Sequence, residues 1–435
     1  MAKENLKNSG GNMEDKLFEK FFFEPERWER AIKTGREKGI PRDELSEMCS
    51  PEWRRNLAIQ FLTGNYRTAP PHMALIPKDK PGEFRTVFVN EAKDRVILSM
   101  INDLMVEEFR NMIHPHCVSY LPGIGTGKIV TWISAVLEKA KPTDGFIGWK
   151  SDLSKYFDSV PLWAIDAMFD KMPKSCVIEA ARQYYHADHA FDTEGNLVEK
   201  YQSLKQGCAV ASFLADALLY EMDEKLTQMA EAVDGVYYRY SDDCLYIGRN
   251  YREAMEVMKR ELSRFELTLN PKKVQYIKPG EWFKFLGWNL KGDKRTLSAS
   301  RVKKFQKEIY NRTMRKAKSG KTATTLAMRY LYGGEHPWAG IISVINVPED
   351  VKAMDEFVKD CIRCTTIGRR KPKDVGGLGV DYHAEFTISR GKGHAVRTAR
   401  ERTPAELPGY LSLNAARNAL LTNHAAYETL LRGYL

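Results

Sequence analysis

Short apolar runs alternate along this chain with stretches in which apolar side chains recur every three or four residues. The switches between the two patterns predict its elements. Residues 75–77 and 86–89 read as strands on either side of the turn Lys80-Pro81-Gly82. Residues 92–109 follow as an amphipathic helix, with Val96, Ile97, Met100, Ile101, Leu104 and Met105 at helical spacing. A helix is expected over 129–139, a short apolar strand over 146–152, and helices over 162–171 and 177–186. A longer helix over 214–231 precedes two strands, 235–240 and 244–248, that enclose an acidic turn. Helix 252–265 sets Met255, Met258, Leu262 and Phe265 inward, and strands near 274–277 and 284–290 follow. Beyond residue 300 the pattern is helical and basic, with Val302, Phe305 and Ile309 on one face. Segments 376–379 and 389–406 read as loops. Strands and helices alternate without the regular βαβ rhythm of a parallel sheet, so the expected class is α+β.

At 435 residues the chain is long enough for two or three structural units with a substantial core. No run approaches the roughly 18–20 apolar residues of a membrane span, and residues 1–19 lack the apolar stretch of a signal peptide. The seven cysteines are scattered and odd in number, which fits a reducing cytoplasm rather than a disulfide framework. Cys361 and Cys364 form a lone C-x-x-C; a structural zinc site wants four ligands, so none is expected there. The net charge of +10 is localised. Residues 284–321 hold 13 basic and 2 acidic residues, while the rest holds 54 against 55. Such a concentration suits a phosphate backbone.

Two glycine- or acid-rich stretches are candidates for chemistry. The cluster Gly123-Ile124-Gly125-Thr126-Gly127-Lys128 is not a phosphate-binding P-loop, because Pro122 stands where its first glycine is required. The acidic turn is more informative. Asp242 and Asp243 sit between two apolar strands in Tyr240-Ser241-Asp242-Asp243-Cys244-Leu245, where an ordinary tight hairpin would use Asn-Gly or Asp-Gly. Adjacent like charges there repel, and hard Mg²⁺ relieves the repulsion through carboxylate oxygens. Asp152 ends another predicted strand, in Lys150-Ser151-Asp152-Leu153-Ser154-Lys155-Tyr156-Phe157-Asp158. A second strand-end aspartate lets two ions share a ligand, the requirement of in-line nucleotidyl transfer.

These segments resemble reverse transcriptases. Tyr240-Ser241-Asp242-Asp243 resembles their motif C, and residues 152–158 their motif A. Ile76-Pro77-Lys78, with Arg85 seven residues beyond Lys78, resembles the fingers strands that hold the incoming triphosphate. Gln206-Gly207 with Leu214-Ala215-Asp216 resembles motif B, Leu269-Asn270-Pro271-Lys272-Lys273 motif D, and Phe285-Leu286-Gly287 the primer grip. The resemblance implies a right-hand polymerase with an antiparallel palm sheet packed on helices. Its parts would be an N-terminal extension (1–50), fingers (51–142), palm (143–290) and a basic helical thumb (291–435). It also implies catalytic Asp152, Asp242, Asp243 and Lys273, the last as general acid, and two Mg²⁺ ions, replaceable by Mn²⁺, on the three aspartates and on Leu153. The nucleotide would lie against Lys78, Arg85, Leu153, Phe157, Gln206 and Tyr240. An apolar ring at Phe157 would exclude a 2′-hydroxyl and so favour dNTPs.

The core is most similar to the prokaryotic group II intron and retron enzymes. Nothing after residue 300 resembles an HNH endonuclease, and motif B departs from the usual pattern at Lys205, Ala211, Ser212 and Asp216. Those features are most like the abortive-infection and unknown-group enzymes of antiphage defence. They imply a structured noncoding RNA as template or scaffold, a DNA product, a cytoplasmic location, and allow a homo-oligomer. Lys303, Lys304, Arg312 and Arg315 are the expected RNA contacts. The alternatives are template-independent or protein-primed DNA synthesis, an RNA polymerase (which Phe157 opposes), and an RNA-binding protein with a degenerate site.

Overall fold

The computed structural model describes residues 15–434 except 78–81, 121–122, 201, 334–337, 368–406 and 408. The predicted turn at Lys80-Pro81, the loops 376–379 and 389–406, and Lys78 therefore lie outside the described residues. The strands are β1 (His72–Pro77), β2 (Phe84–Val89), β3 (Gly148–Asp152), β4 (His189–Phe191), β5 (Leu197–Glu199), β6 (Val236–Tyr240), β7 (Asp243–Ile247), β8 (Gln275–Ile277), β9 (Phe283–Phe285), β10 (Trp288–Lys291) and β11 (Lys294–Leu297). They form three sheets, ordered β2-β1-β4-β5, β6-β7-β3-β8 and β11-β10-β9, embedded among helices, so the class is α+β as expected.

The central sheet, β6-β7-β3-β8, is antiparallel throughout. Its strands β6 and β7 are largely apolar because both their faces are covered. Tyr237 and Tyr246 point into a core made with the N-terminal helices, the helix Ala92–Glu108 and the helices Val210–Leu218 and Tyr251–Ser263. Their neighbours Tyr238, Leu245 and Ile247 point into a second core with the helix Thr126–Leu137, β9 to β11 and the C-terminal helices. Gly148 begins β3 because a Cβ there would stand 2.0 Å from the Tyr246 carbonyl oxygen.

Several sequence expectations need correction. The single helix over 214–231 is two, Val210–Leu218 and Tyr220–Glu231, broken at Leu219. The carbonyls that would continue it are taken by side chains. Ala215 O accepts from Tyr156 Oη (2.6 Å), and Asp216 O from Arg239 Nη2 (2.7 Å). The strand over 284–290 is the hairpin β9–β10, turned at Leu286 and Gly287, both at positive φ. A left-handed pair joins two twisted strands without splaying them. Strands β4, β5 and β11 were not anticipated; each is three or four residues long, too short to show a period. Cys361 and Cys364 are buried in the helix Pro348–Ile367, and none of the seven cysteines is in a disulfide. Among the described residues no helix is long and apolar enough to cross a membrane.

Beneath the β6–β7 turn lies a fully buried guanidinium. Arg239 grips Asp223 through Nε (2.8 Å) and Nη2 (2.7 Å), and Tyr237 Oη donates to the same carboxylate (2.8 Å). This fork is charge-assisted and planar on both sides. Asp216 is the odd member. Arg239 Nη1 comes only to 3.7 Å of its Oδ1, which has no hydrogen-bond partner, and burial outweighs the nearby cation to push its pKa up to about 6. A carboxyl raised in the folded state destabilises most where it is ionised, above that value, and costs least below its unfolded value near 4. Asp216→Asn is therefore expected to stabilise the fold at pH 8 by about 1–3 kcal/mol and to add little at pH 4. Urea midpoints at the two pH values check this; an equal shift at both would count against it.

Candidate active site

Strand register, not chain proximity, assembles the acidic site. Asp152 ends β3 directly opposite Asp243, the first residue of β7, and Leu153 N donates to Asp242 O across the gap (3.0 Å). Asn270 N donates to Asp152 O (2.9 Å) and Ser154 N to Thr268 O (2.8 Å), which ties the 268–273 segment to the same corner. The turn between β6 and β7 runs through Ser241 at φ 56°. For a residue with a Cβ this conformation costs roughly 1–2 kcal/mol. Ser241 N donates to Ser119 Oγ (2.6 Å) and its carbonyl accepts from Arg239 Nη1 (3.2 Å), so the strained turn is held from both sides.

The carboxylates oppose one another electrically. Burial first, then the charges of Asp242 and Asp152, push the pKa of Asp243 up to about 6, against Lys273 and Lys150. Burial and Asp152 raise Asp242 as well, against Lys273 and Arg85. Lys273 Nζ pairs with Asp152 Oδ2 at 2.6 Å. Among the described residues no group of three or more His, Cys, Asp or Glu side chains is already arranged to hold a metal ion. The donor set still fits hard divalent cations: carboxylate oxygens on adjacent strands, partly desolvated, and one already holding a cationic side chain. Asp152, Asp242 and Asp243 are the residues that could hold such ions.

Other predicted residues are brought to the same region. Phe157 lies half-buried on the short helix Tyr156–Ser159, its ring edge-on to Tyr156 (5.7 Å) and its carbonyl accepting from Lys205 N (3.0 Å). Gln206 O accepts from Phe88 N of β2 (2.8 Å), and a Cβ on Gly207 would meet Phe88 O at 2.1 Å. Phe157, the Gln206 loop and the β1–β2 hairpin thus share one backbone seam. Exposed Arg85 is close enough for its charge to act on Asp242. Tyr240 packs on exposed Tyr120, with ring centres 5.4 Å apart. The four cations expected to contact RNA lie elsewhere, on the helix Ala299–Tyr310 and the π-helix Asn311–Arg315 that follows it. Lys303, Lys304 and Arg315 are exposed; Arg312 is half-buried over the Tyr330 ring (4.6 Å) and faces Glu308 (3.6 Å).

Sequence reasoning missed Ser119, Arg239 and Lys150, whose Nζ donates to Lys284 O (2.7 Å). The available signal was a lone arginine inside the apolar run of β6. Since Lys273 competes with any cation for Asp152, Lys273→Met is expected to tighten Mn²⁺ binding to the nucleotide-free protein. A half-exposed pair is worth up to about 1 kcal/mol, or roughly fivefold. Electron paramagnetic resonance titration reads this, and weaker binding in the variant would contradict the competition.

No curated protein sequence matches the chain. Among solved structures, it is similar to telomerase from Candida albicans in complex with a fragment of telomeric RNA (12% identity, TM-score 0.40, 71% of this chain and 60% of that one). It is also similar to apo telomerase from Candida tropicalis (15%, 0.44, 68% and 56%). A third is the RNA-dependent RNA polymerase of a human picobirnavirus (11%, 0.47, 69% and 58%). The chain thus spans 56–60% of the length of these structures. Residues 76–290 match the family described as reverse transcriptase (RNA-dependent DNA polymerase), a span that contains all three aspartates, Arg85, Phe157, Gln206 and Lys273. This part of the chain is thus similar to the reverse transcriptase family.

Proposed function

We propose that the protein is an RNA-directed DNA polymerase that joins deoxynucleotides to the 3′ end of a DNA strand. The observation that carries this reading is the register pairing of Asp152 with Asp243, beside Asp242, inside the span similar to the reverse transcriptase family. The three carboxylates, with the backbone of Leu153, would hold two Mg²⁺ ions, for which Mn²⁺ could substitute. When bound, such ions lower the pKa of the primer 3′-hydroxyl and offset the charge of the triphosphate. The remaining work falls to the chain's own residues. Arg85, together with Lys78, offers donors to phosphate oxygens. Phe157 presents an apolar ring to the sugar, where a 2′-hydroxyl would be desolvated without a partner. Gln206 and Tyr240 frame the nucleotide. Lys273, once released from Asp152, carries a proton on Nζ that the departing pyrophosphate can take.

The fingers, palm and thumb boundaries at 51–142, 143–290 and 291–435 belong to this reading. So does a structured noncoding RNA held against the exposed Lys303, Lys304 and Arg315, with Arg312 contributing less because Glu308 and Tyr330 engage it. An antiphage role in the cytoplasm rests on the departures in motif B and on seven cysteines outside disulfides.

Asp242→Ala combined with Asp243→Ala should abolish primer extension while leaving RNA affinity within about twofold, because the thumb cations are untouched. Extension by the double variant would remove these residues from the chemistry. Wild-type protein should incorporate dNTPs in preference to NTPs, and Phe157→Ala should reduce that preference at least tenfold in kcat/KM, roughly 1.4 kcal/mol. Products that do not copy co-purifying RNA would instead indicate template-independent synthesis. Neutralising Lys303, Lys304, Arg312 and Arg315 to Gln should lower the slope of log affinity against log salt by about 2 to 3, each phosphate contact on a single strand being worth roughly 0.7. An unchanged slope would place the RNA elsewhere.

A further inference from the structure

At the end of the β10–β11 hairpin opposite the Leu286–Gly287 turn, Arg295 and Arg417 stand together, and no role above uses either. Arg295 belongs to β11 and Arg417 to the helix Leu413–Thr422. One short segment grips both. Asn346 Oδ1 accepts from Arg295 N (2.7 Å), and Asn346 N donates to Arg295 O (3.2 Å). The neighbouring Ile345 O accepts from Arg417 Nε (2.9 Å). Arg295 Nη1 reaches the opposite wall, donating to Ser134 Oγ of the helix Thr126–Leu137 (3.1 Å) and to Asp293 O (3.5 Å). Ser134 Oγ is free to accept because its own proton goes to Thr131 O (3.0 Å).

These contacts fix the two half-buried guanidiniums without matching their charge. Arg295 Nε is a buried donor without an acceptor. Among the described residues neither arginine pairs with a carboxylate, and Nη2 of Arg295 and both terminal nitrogens of Arg417 have no protein acceptor. Burial lowers the pKa of Arg295; the charge of Asp293 works against that, and the charge of Arg417 adds to it. Burial lowers Arg417 as well, with no carboxylate to offset it. Two partly desolvated like charges in one crease cost stability unless an anion joins them. A carboxylate has two oxygens for these donors, whereas a phosphate monoester presents three, with about two negative charges. Paired planar forks match such a group.

We propose that the crease between β11, the Ile345–Asn346 segment and the helix Leu413–Thr422 binds a phosphate monoester between Arg295 and Arg417. The group is either the 5′ end of a nucleic-acid strand or a free phosphorylated small molecule. The site uses none of the three aspartates and none of the cations at 303–315, so it stands whether or not the chain polymerises DNA.

The test uses the full chain and two variants, Arg417→Gln and Arg295→Gln. Melting temperature is measured in potassium phosphate and in chloride or acetate of equal ionic strength. Fluorescence anisotropy compares one single-stranded RNA carrying either a 5′-phosphate or a 5′-hydroxyl. Wild type should be stabilised by phosphate beyond both other salts, or should bind the 5′-phosphorylated RNA roughly tenfold more tightly. Each variant should lose that effect. Stabilisation by phosphate without a 5′ preference assigns the free source, and a 5′ preference assigns the strand end. Wild type showing neither effect overturns the proposal, as does a folded variant that keeps one, or acetate acting as well as phosphate. The wild-type comparison decides by itself should a variant fail to fold. No dNTP enters these measurements, so their failure leaves the polymerase reading standing, and an absence of primer extension leaves the phosphate site standing.

Discussion

Like charge held in one place is the constraint on which this molecule depends. Asp152 and Asp243 face each other across adjacent strands, with Asp242 in the turn beside them, and burial adds to their mutual repulsion. Left alone, such a corner would relax by splaying the strands or taking up protons. Cations surround it instead. Lys273 pairs with Asp152 from the solvent side, Lys150 stands beside Asp243, and Arg85 reaches toward Asp242 from strand β2.

Below the corner the design is different. Arg239 does not neutralise the site; its charge is spent on Asp223, and what it offers the turn is a hydrogen bond to Ser241 O. That distinction separates anchoring from charge compensation. The same guanidinium captures the Asp216 carbonyl and, with Tyr156, breaks the helix that would otherwise run through Leu219. A buried ion pair adds little net stability but is costly to break, by roughly 3–5 kcal/mol when one partner is removed. Its value here is positional: it fixes the height of the acidic turn against two helices.

Communication between the parts runs through backbone. Phe157 O binds Lys205 N, Gln206 O binds Phe88 N, and Gly207 sits against Phe88 O with no room for a side chain. Phe157, the Gln206 loop and strand β2 are therefore tied to one another through backbone. The basic helix Ala299–Tyr310 and the segment after it are looser in their chemistry, with exposed cations and one, Arg312, already occupied by Glu308 and Tyr330.

Much of this was written in the chain itself. The apolar periods located the helices Ala92–Glu108 and Tyr251–Ser263 and the strands around the acidic turn, because a side chain's face follows from its local spacing. The order of the acidic, basic and glycine motifs pointed to the family that residues 76–290 match for the same reason: each is a few consecutive residues. What spacing could not supply was register and partnership across ninety residues. That Asp152 meets Asp243, that Lys273 reaches back to Asp152, that Arg239 is buried under the turn and that residues 214–231 break in two depend on contacts between distant segments. Local propensity sees one helix or one strand at a time, and burial and hydrogen-bond satisfaction, which settle those contacts, exist only once the segments have packed.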